Sequence, residues 1–270
     1  MIPIVQMRYS YFGQSGWRSE ASKQKEILFD PKRLAHRFNL LQTYAVRSLL
    51  DQEDQDFHFA MLTSQDLPAA HLKQVTEYIR DSFGDRGAVL ARGDGPVFRH
   101  LIRHNRASFP EGSTMMQIVL DDDDALSVDF MARLKAEAAG FRDRLPEDTR
   151  RFFLSFSKGV SVVYEKGQAV PQLYRRDVPY TNLGLALVSP IDDRANPYAV
   201  AHKKVARRFA SLVYNDLQPY YLRVVHGAND SRAQIDETQP FPEDNLPKLL
   251  KRFPLLEGVL NPPKARARAS

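Results

Sequence analysis

Met116-Gln117-Ile118-Val119-Leu120-Asp121-Asp122-Asp123-Asp124 is an apolar run of strand length that ends in four consecutive carboxylates. The run predicts a strand covered on both faces. Its end needs an explanation, because four adjacent negative charges repel one another unless a cation lies among them. A hard divalent ion with oxygen ligands meets that need, and the carboxyl end of a strand is where a doubly wound sheet places its ligand. A local reading competes with it: Asp124 caps a helix beginning near Ala125 while the other three line a solvated turn. The pattern leaves both open.

Upstream of this stretch, apolar runs alternate with helical stripes. Ile4 to Tyr9 reads as a first buried strand that opens at Ser10, Gly13 and Gly16. Pro31 starts a helix with Leu34, Phe38, Leu41, Ala45 and Leu49 on one stripe. Phe57 to Leu62 is a second strand closed by Thr63-Ser64, and a helix from Pro68 carries Leu72, Val75, Ile79 and Phe83. Ala88 to Leu90 is a third strand, stopped by Gly93-Asp94-Gly95-Pro96, before a helix over Pro96 to Asn105. This βαβα rhythm predicts a mostly parallel central sheet.

Downstream, a helix is expected over Ser127 to Phe141, and then the pattern changes. Phe152 to Phe156, Val160 to Tyr164 and Val170 to Tyr174 are strand-like pieces separated by Lys158-Gly159 and Lys166-Gly167. These dipeptides are hairpin punctuation and predict a smaller antiparallel part in the second half. A short apolar segment follows over Thr181 to Val188, then a basic helix over Tyr198 to Leu212 and a last strand over Tyr221 to His226. The expected division is one α/β domain over 1–230, in two halves that meet at about 125. Residues 231–270 read as a polar loop, a short amphipathic helix around Leu246, Leu249, Leu250 and Phe253, and a basic tail with Lys264, Arg266 and Arg268.

Composition narrows the chemistry. The 270 residues are 43% hydrophobic and 26% charged, which suits one large globular domain. No apolar run reaches membrane-spanning length and the first residues lack a signal-peptide pattern, so a cytoplasmic protein is expected. The absence of cysteine excludes disulfides, thiolate metal sites and a cysteine nucleophile. The net charge of +5 suits anionic small molecules, acidic glycans or membrane surfaces as well as nucleic acid, and selects none of them. Any metal must be held by Asp, Glu and His. His226 closes an apolar run just before Gly227, so its ring should emerge at a strand end; aspartates plus one imidazole suit Mn2+, whereas Mg2+ prefers oxygen alone.

Arg8-Tyr9-Ser10-Tyr11-Phe12-Gly13, Phe29-Asp30-Pro31 to Arg37-Phe38, Leu62-Thr63-Ser64, Leu120 to Leu126 and Val225-His226-Gly227, in that order, resemble the putative rhamnosyltransferase family. That family is similar to nucleotide-sugar glycosyltransferases of the A-type fold. The resemblance implies a single Rossmann-like A-type domain in which an Asp-x-Asp at a strand end holds a divalent ion, Mn2+ in preference to Mg2+, that bridges a donor diphosphate. Carried onto this chain, Asp121 and Asp123 are the pair and His226 the third ligand; Asp122 and Asp124 share the spacing and leave the register open. Arg8, Ser10, Thr63, Ser64, Asp121 and Asp122 are the expected nucleotide and diphosphate contacts.

The implied partners are a nucleotide-sugar donor and a glycan or other hydroxyl acceptor, with polysaccharide biosynthesis as the setting. The tail adds a membrane or acidic-glycan contact, and nucleic acid is not expected. An inverting transfer needs a general base in the second half; Asp192 and His202 come first, ahead of Asp177 and Asp193. Three other readings use the same residues differently. A nucleotidyl- or phosphotransferase would employ the same aspartates. An RNA-binding protein would explain the basic helix and tail. A glycoside hydrolase would need carboxylates on separate elements, which consecutive aspartates do not supply.

Overall fold

The structure is a computed structural model that describes residues 1–14, 20–165, 168–227 and 235–262. The sequence signals at Gly16, Lys166-Gly167 and Ser231, and the basic tail, lie outside those residues.

The first half follows the expected rhythm. Strand β1 (Ile2–Arg8) leads through a short helix α1 (Lys25–Leu28) to α2 (Pro31–Leu40), which Asp30 caps by accepting from the Arg33 backbone N–H at 2.9 Å. Pro31 at the first helical position costs no hydrogen bond there. The helix continues through a π-turn at Leu41–Ala45 into α3 (Val46–Leu50). Then come β2 (His58–Ser64), α4 (Ala69–Phe83), β3 (Gly87–Arg92), α5 (Val97–Ser108) and β4 (Thr114–Val119). The rest of the chain supplies β5 (Ala125–Leu126), α6 (Phe130–Arg142), β6 (Phe152–Phe156), β7 (Lys158–Val163), β8 (Gln172–Asp177) and β9 (Ala186–Pro190). It ends with α7 (Val205–Arg208), β10 (Ala210–Tyr214), β11 (Tyr221–Val225), α8 (Leu246–Arg252) and α9 (Leu256–Leu260).

Seven strands form one sheet in the order β10-β6-β9-β4-β1-β2-β3. All run the same way except β9, which lies antiparallel between β4 and β6. Met116, Ile118 and Leu120 face one cluster with Val5, Met7, Phe59 and Phe130, while Ile4, Leu62, Leu101 and Met115 form another on the opposite face. Each such fully buried side chain contributes roughly 1.5–3 kcal/mol. A second sheet, β5-β11-β7-β8, has two antiparallel pairings and one parallel, β11 on β7. Its apolar face packs Val160, Val162, Leu222 and Val224 against Tyr44 of the long helix and against Leu249, Phe253 and Leu256 of α8 and α9.

The second half departs from the sequence expectations in three places. Lys158-Gly159 is not a hairpin: β6 and β7 do not pair, and the chain crosses there from the large sheet to the small one. Gly159 is required by packing instead, because a Cβ at this position would overlap the ring of Tyr221. The segment Tyr198 to Leu212 is not a helix. Short 3-10 turns and the four-residue α7 lead into β10, whose Ala210, Leu212 and Tyr214 meet the core at the two-residue period of a strand. With that helix the main support for an RNA-binding surface is gone. Finally, no helix starts near Ala125; residues 125–126 pair with β11 and α6 begins at Phe130. No helix among the described residues is long and apolar enough to cross a membrane.

Candidate active site

β4 ends at the centre of the large sheet, and Asp121–Asp124 fill the turn between it and β5. Three of the four side chains are buried, with Asp122, Asp123 and Asp124 at most 3% exposed. The cations that hold them are supplied by the chain itself. Arg37, on the buried stripe of α2, grips Asp122 through Nε at 3.1 Å and through Nη2, and donates Nη1 to Asp123 Oδ2 at 3.0 Å. Arg8, at the end of β1, donates to Asp121 Oδ1 at 3.0 Å and stacks on the Tyr198 ring at 4.7 Å. Arg223, inside β11, donates to Asp124 Oδ2 at 2.6 Å and lies 3.9 Å from Asp121. The turn therefore breaks the strict alternation expected of an extended run, and Asp122 and Asp123 share Arg37.

His226 follows β11 and brings Nε2 to 3.1 Å from Asp123 Oδ2, with the His36 ring edge-on to it at 5.0 Å. Burial raises the Asp123 carboxyl, but Arg37, His226 and Arg223 outweigh it and hold the group below the usual carboxylate range. Asp122 and Asp124 go the other way: burial dominates and pushes both upward against the pull of Arg37 and Arg223 respectively. Burial lowers the Arg223 guanidinium, and the surrounding aspartates more than offset it, so it stays firmly charged.

These contacts sort the expected ligands. Asp123 and His226 are brought together as one carboxylate oxygen and one imidazole nitrogen. Asp124 is not a helix cap and does not face a ligand: its two oxygens accept from Arg223 and from the Val224 backbone N–H at 2.9 Å, so it anchors β11. Asp122 is turned inward onto Arg37 rather than toward a nucleotide. Asp121 faces Arg8 and Arg223, and no three His, Asp or Glu side chains among the described residues converge as a complete ligand set. An ion held by only two protein groups suits a divalent cation that takes its remaining oxygens from substrate phosphates and water, so Asp123 and His226 fit such an ion.

The other expected contacts lie at the same end of the sheet. Ser10 sits just past β1 with φ +42°, a strained value for a side-chain-bearing residue, and its buried Oγ accepts from Arg33 at 3.4 Å. Thr63 and Ser64 close β2; the buried Thr63 hydroxyl has no hydrogen-bond partner among the described residues, and Ser64 Oγ accepts from the Asp66 N–H at 3.3 Å. A small cavity lined by Phe12, Gly13, Gln14, Asp94 and Gly95 opens beyond β1 and β3.

The two base candidates separate. β9 runs antiparallel to β4 with Thr114 opposite Pro190, so Asp192 emerges at the amino end of β4, eight residues and roughly 25 Å of strand from Asp121. Asp192 cannot reach the aspartates. His202 lies at the correct end: its Nδ1 is 2.7 Å from the Tyr180 carbonyl, and Tyr180 is held by Ser155 near the end of β6. Asp177 ends β8 paired with Lys158, and Asp193 binds Arg150 and Arg151, so both are structural. Burial raises the Asp193 carboxyl, yet the two arginines hold it below its ordinary value. Stability from a depressed carboxylate is present above its unfolded value near pH 4 and is lost as pH falls. Wild-type protein should therefore lose melting temperature between about pH 5 and pH 3 more steeply than Asp193→Asn; parallel curves across that range would refute the assignment.

Sequence reasoning missed Arg37, Arg223 and Tyr198. The signal was present for the first two: Arg37 stands three residues after buried Leu34, and Arg223 interrupts an apolar strand, so each is a charge in a position that demands a buried partner.

A profile of the family described as "Putative rhamnosyl transferase" matches residues 4–238. The chain belongs to that family. Its mostly parallel sheet with aspartates after the central strand is the architecture the resemblance implied. No curated protein matches the sequence. Among solved structures, S. aureus TarS 1-349 in complex with UDP is 16% identical over 83% of this chain and 61% of that one, with a TM-score of 0.43. GalNAc-T7 with UDP, GalNAc and Mn2+ is 11% identical over 86% and 46%, at 0.44. The inositol-1-phosphate CTP transferase from T. maritima is 11% identical over 96% and 98%, at 0.36. The chain thus spans about three-fifths of the TarS chain, and likenesses this distant assign it no substrate.

Proposed function

We propose that this family member transfers a sugar, rhamnose by the family's description, from a nucleoside-diphosphate donor to a hydroxyl of a glycan or other acceptor. The observation that carries the reading is the Asp123–His226 pair at the carboxyl end of β4, where a donor diphosphate would lie. A bound divalent ion, Mn2+ in preference to Mg2+, would supply Lewis-acid stabilisation of the departing diphosphate. Asp123 and His226 would hold it; Arg37 helps keep Asp123 ionised, Arg37 and Arg223 hold Asp122 and Asp124 in place, and Arg8 positions Asp121 from the end of β1. Ser10, Thr63 and Ser64 border the space for the nucleotide, and the unpartnered Thr63 hydroxyl is ready to accept or donate there.

His202 is the base. A carbonyl oxygen only accepts, so Nδ1 must donate to Tyr180, and the neutral ring then carries its lone pair on Nε2, ready to take the acceptor's proton. His202→Gln should lower transfer to acceptor on the order of 10²–10⁴-fold while leaving donor binding unchanged; equal rates would exclude it as the base.

The reading is tested by thermal shift with a panel of nucleoside diphosphates and nucleotide sugars, with and without manganese, followed by product analysis. A ligand that binds only the native state raises the melting temperature by mass action. A shift that requires manganese together with one nucleotide supports the donor site. Release of nucleoside diphosphate with a new glycoside identifies the transfer, whereas pyrophosphate or a phosphorylated acceptor would make the chain a nucleotidyl- or phosphotransferase.

A further inference from the structure

One well-formed cavity lies away from the aspartates. It has a volume of about 780 Å³ and opens at the start of β7, at the far end of the second sheet. Five cationic side chains line it, Lys158, Arg175, Arg176, Lys248 and Arg252, against two carboxylates, Asp177 and Asp236. One of those carboxylates already serves Lys158, and Arg252 is turned to Asp129. Arg175 and Lys248 are exposed and make no ion pair with a described residue, so the cavity presents uncompensated positive charge.

The remaining wall says what kind of anion fits. Ser161, Gln218, Gln239 and Asn245 offer neutral donors and acceptors, and the single aromatic ring among the described lining residues is Phe241. Binding of single-stranded nucleic acid relies on several rings for base stacking, which this wall lacks. Three amides and one hydroxyl interleaved with guanidinium and ammonium groups instead match a ligand rich in hydroxyls that also carries carboxylates.

The geometry points to this cavity as a binding site for an acidic, carboxylate-bearing oligosaccharide. The site lies on the same two strands as the reacting centre. Parallel β7 and β11 run from Lys158 and Gly159 at the cavity, with Tyr221 paired to Gly159, to Val163 and Val225, and His226 follows at once. Five residues of strand separate the two ends by about 16 Å. A chain seated here would present its growing end toward Asp123 and His226, so binding energy from remote units would position the acceptor hydroxyl. Its role as acceptor site rests on the transfer reading above; its binding of an acidic glycan does not.

The test titrates the full chain with three probes of similar length: an oligogalacturonate, a neutral malto-oligosaccharide and a single-stranded RNA. Wild-type protein should bind the oligogalacturonate at least about tenfold more tightly than the neutral chain, with affinity that falls as salt rises. Arg175→Glu with Lys248→Glu, both at exposed positions, should weaken that binding about tenfold or more while the manganese-dependent nucleotide shift is unchanged. Equal affinity for acidic and neutral sugars, an unaffected double variant, or tighter binding of the RNA would each overturn the assignment. Acidic-glycan binding without any nucleotide shift would sink the transfer reading and leave this site standing.

Discussion

Asp123→Asn should lower metal-dependent sugar transfer on the order of 10²–10³-fold while far-UV circular dichroism stays that of the wild type. Asp123 Oδ2 is the one oxygen approached by both His226 and Arg37. Asparagine keeps an oxygen there but loses the charge that a divalent ion requires. The fold should survive because Arg37 retains its two bonds to Asp122 and because Asp124, not Asp123, anchors β11. The measurement is the initial rate of nucleoside diphosphate release with manganese, beside a melting curve. Asp192→Asn serves as the control, since it lies beyond the opposite end of β4 and should leave the rate unchanged. Wild-type rates in Asp123→Asn would remove this residue from the site.

Arg37→Met should be the most destabilising single change near the site, by about 3–5 kcal/mol, because removing one partner of a buried ion pair leaves uncompensated charge behind. For a chain of this size that corresponds to a fall in melting temperature of roughly 10 °C. Arg37 is 3% exposed and serves two carboxylates, so the stranded charge is Asp122 and Asp123 together. Burial already pushes Asp122 upward, and without Arg37 it would bind a proton more readily still. A raised folded-state carboxyl favours the folded state when protonated, so the deficit should shrink as pH falls toward the unfolded value near 4. Adding Asp122→Asn to Arg37→Met should recover part of the loss at neutral pH. Urea unfolding measures all three proteins, and a deficit below about 1 kcal/mol for the single variant would show that the aspartates do not depend on Arg37.

How much of this was legible in the chain differs between its halves. In the first half each apolar run is bounded by a breaker, as at Pro31, Thr63-Ser64 and Gly93-Asp94-Gly95-Pro96, and each keeps one period from end to end, even though β1 finds its partner β4 more than a hundred residues away. Period and punctuation were therefore enough to order β1 to β4. In the second half the local punctuation does not match the pairings that form. Ala210 to Tyr214 forms a strand because β6 offers it an open edge, and β9 enters the large sheet antiparallel because β4 and β6 leave it a place. Local pattern carries no record of an edge made by residues far away in sequence.

The site divides in the same way. Four carboxylates at a strand end, a histidine closing the last strand and the absence of cysteine are properties of the sequence by itself, and they limit the ligand atoms available at this place to oxygen and imidazole nitrogen. Which cation neutralises which aspartate was decided only by the fold. α2 lays Arg37 over Asp122 and Asp123, β11 carries Arg223 onto Asp124, and β1 ends with Arg8 at Asp121. Charge repulsion within four adjacent residues can be read from their order, because it acts over a few ångströms of contiguous chain. Its relief comes from arginines 85 to 113 positions away, and only the packing of separate elements into one buried turn brings those charges within reach.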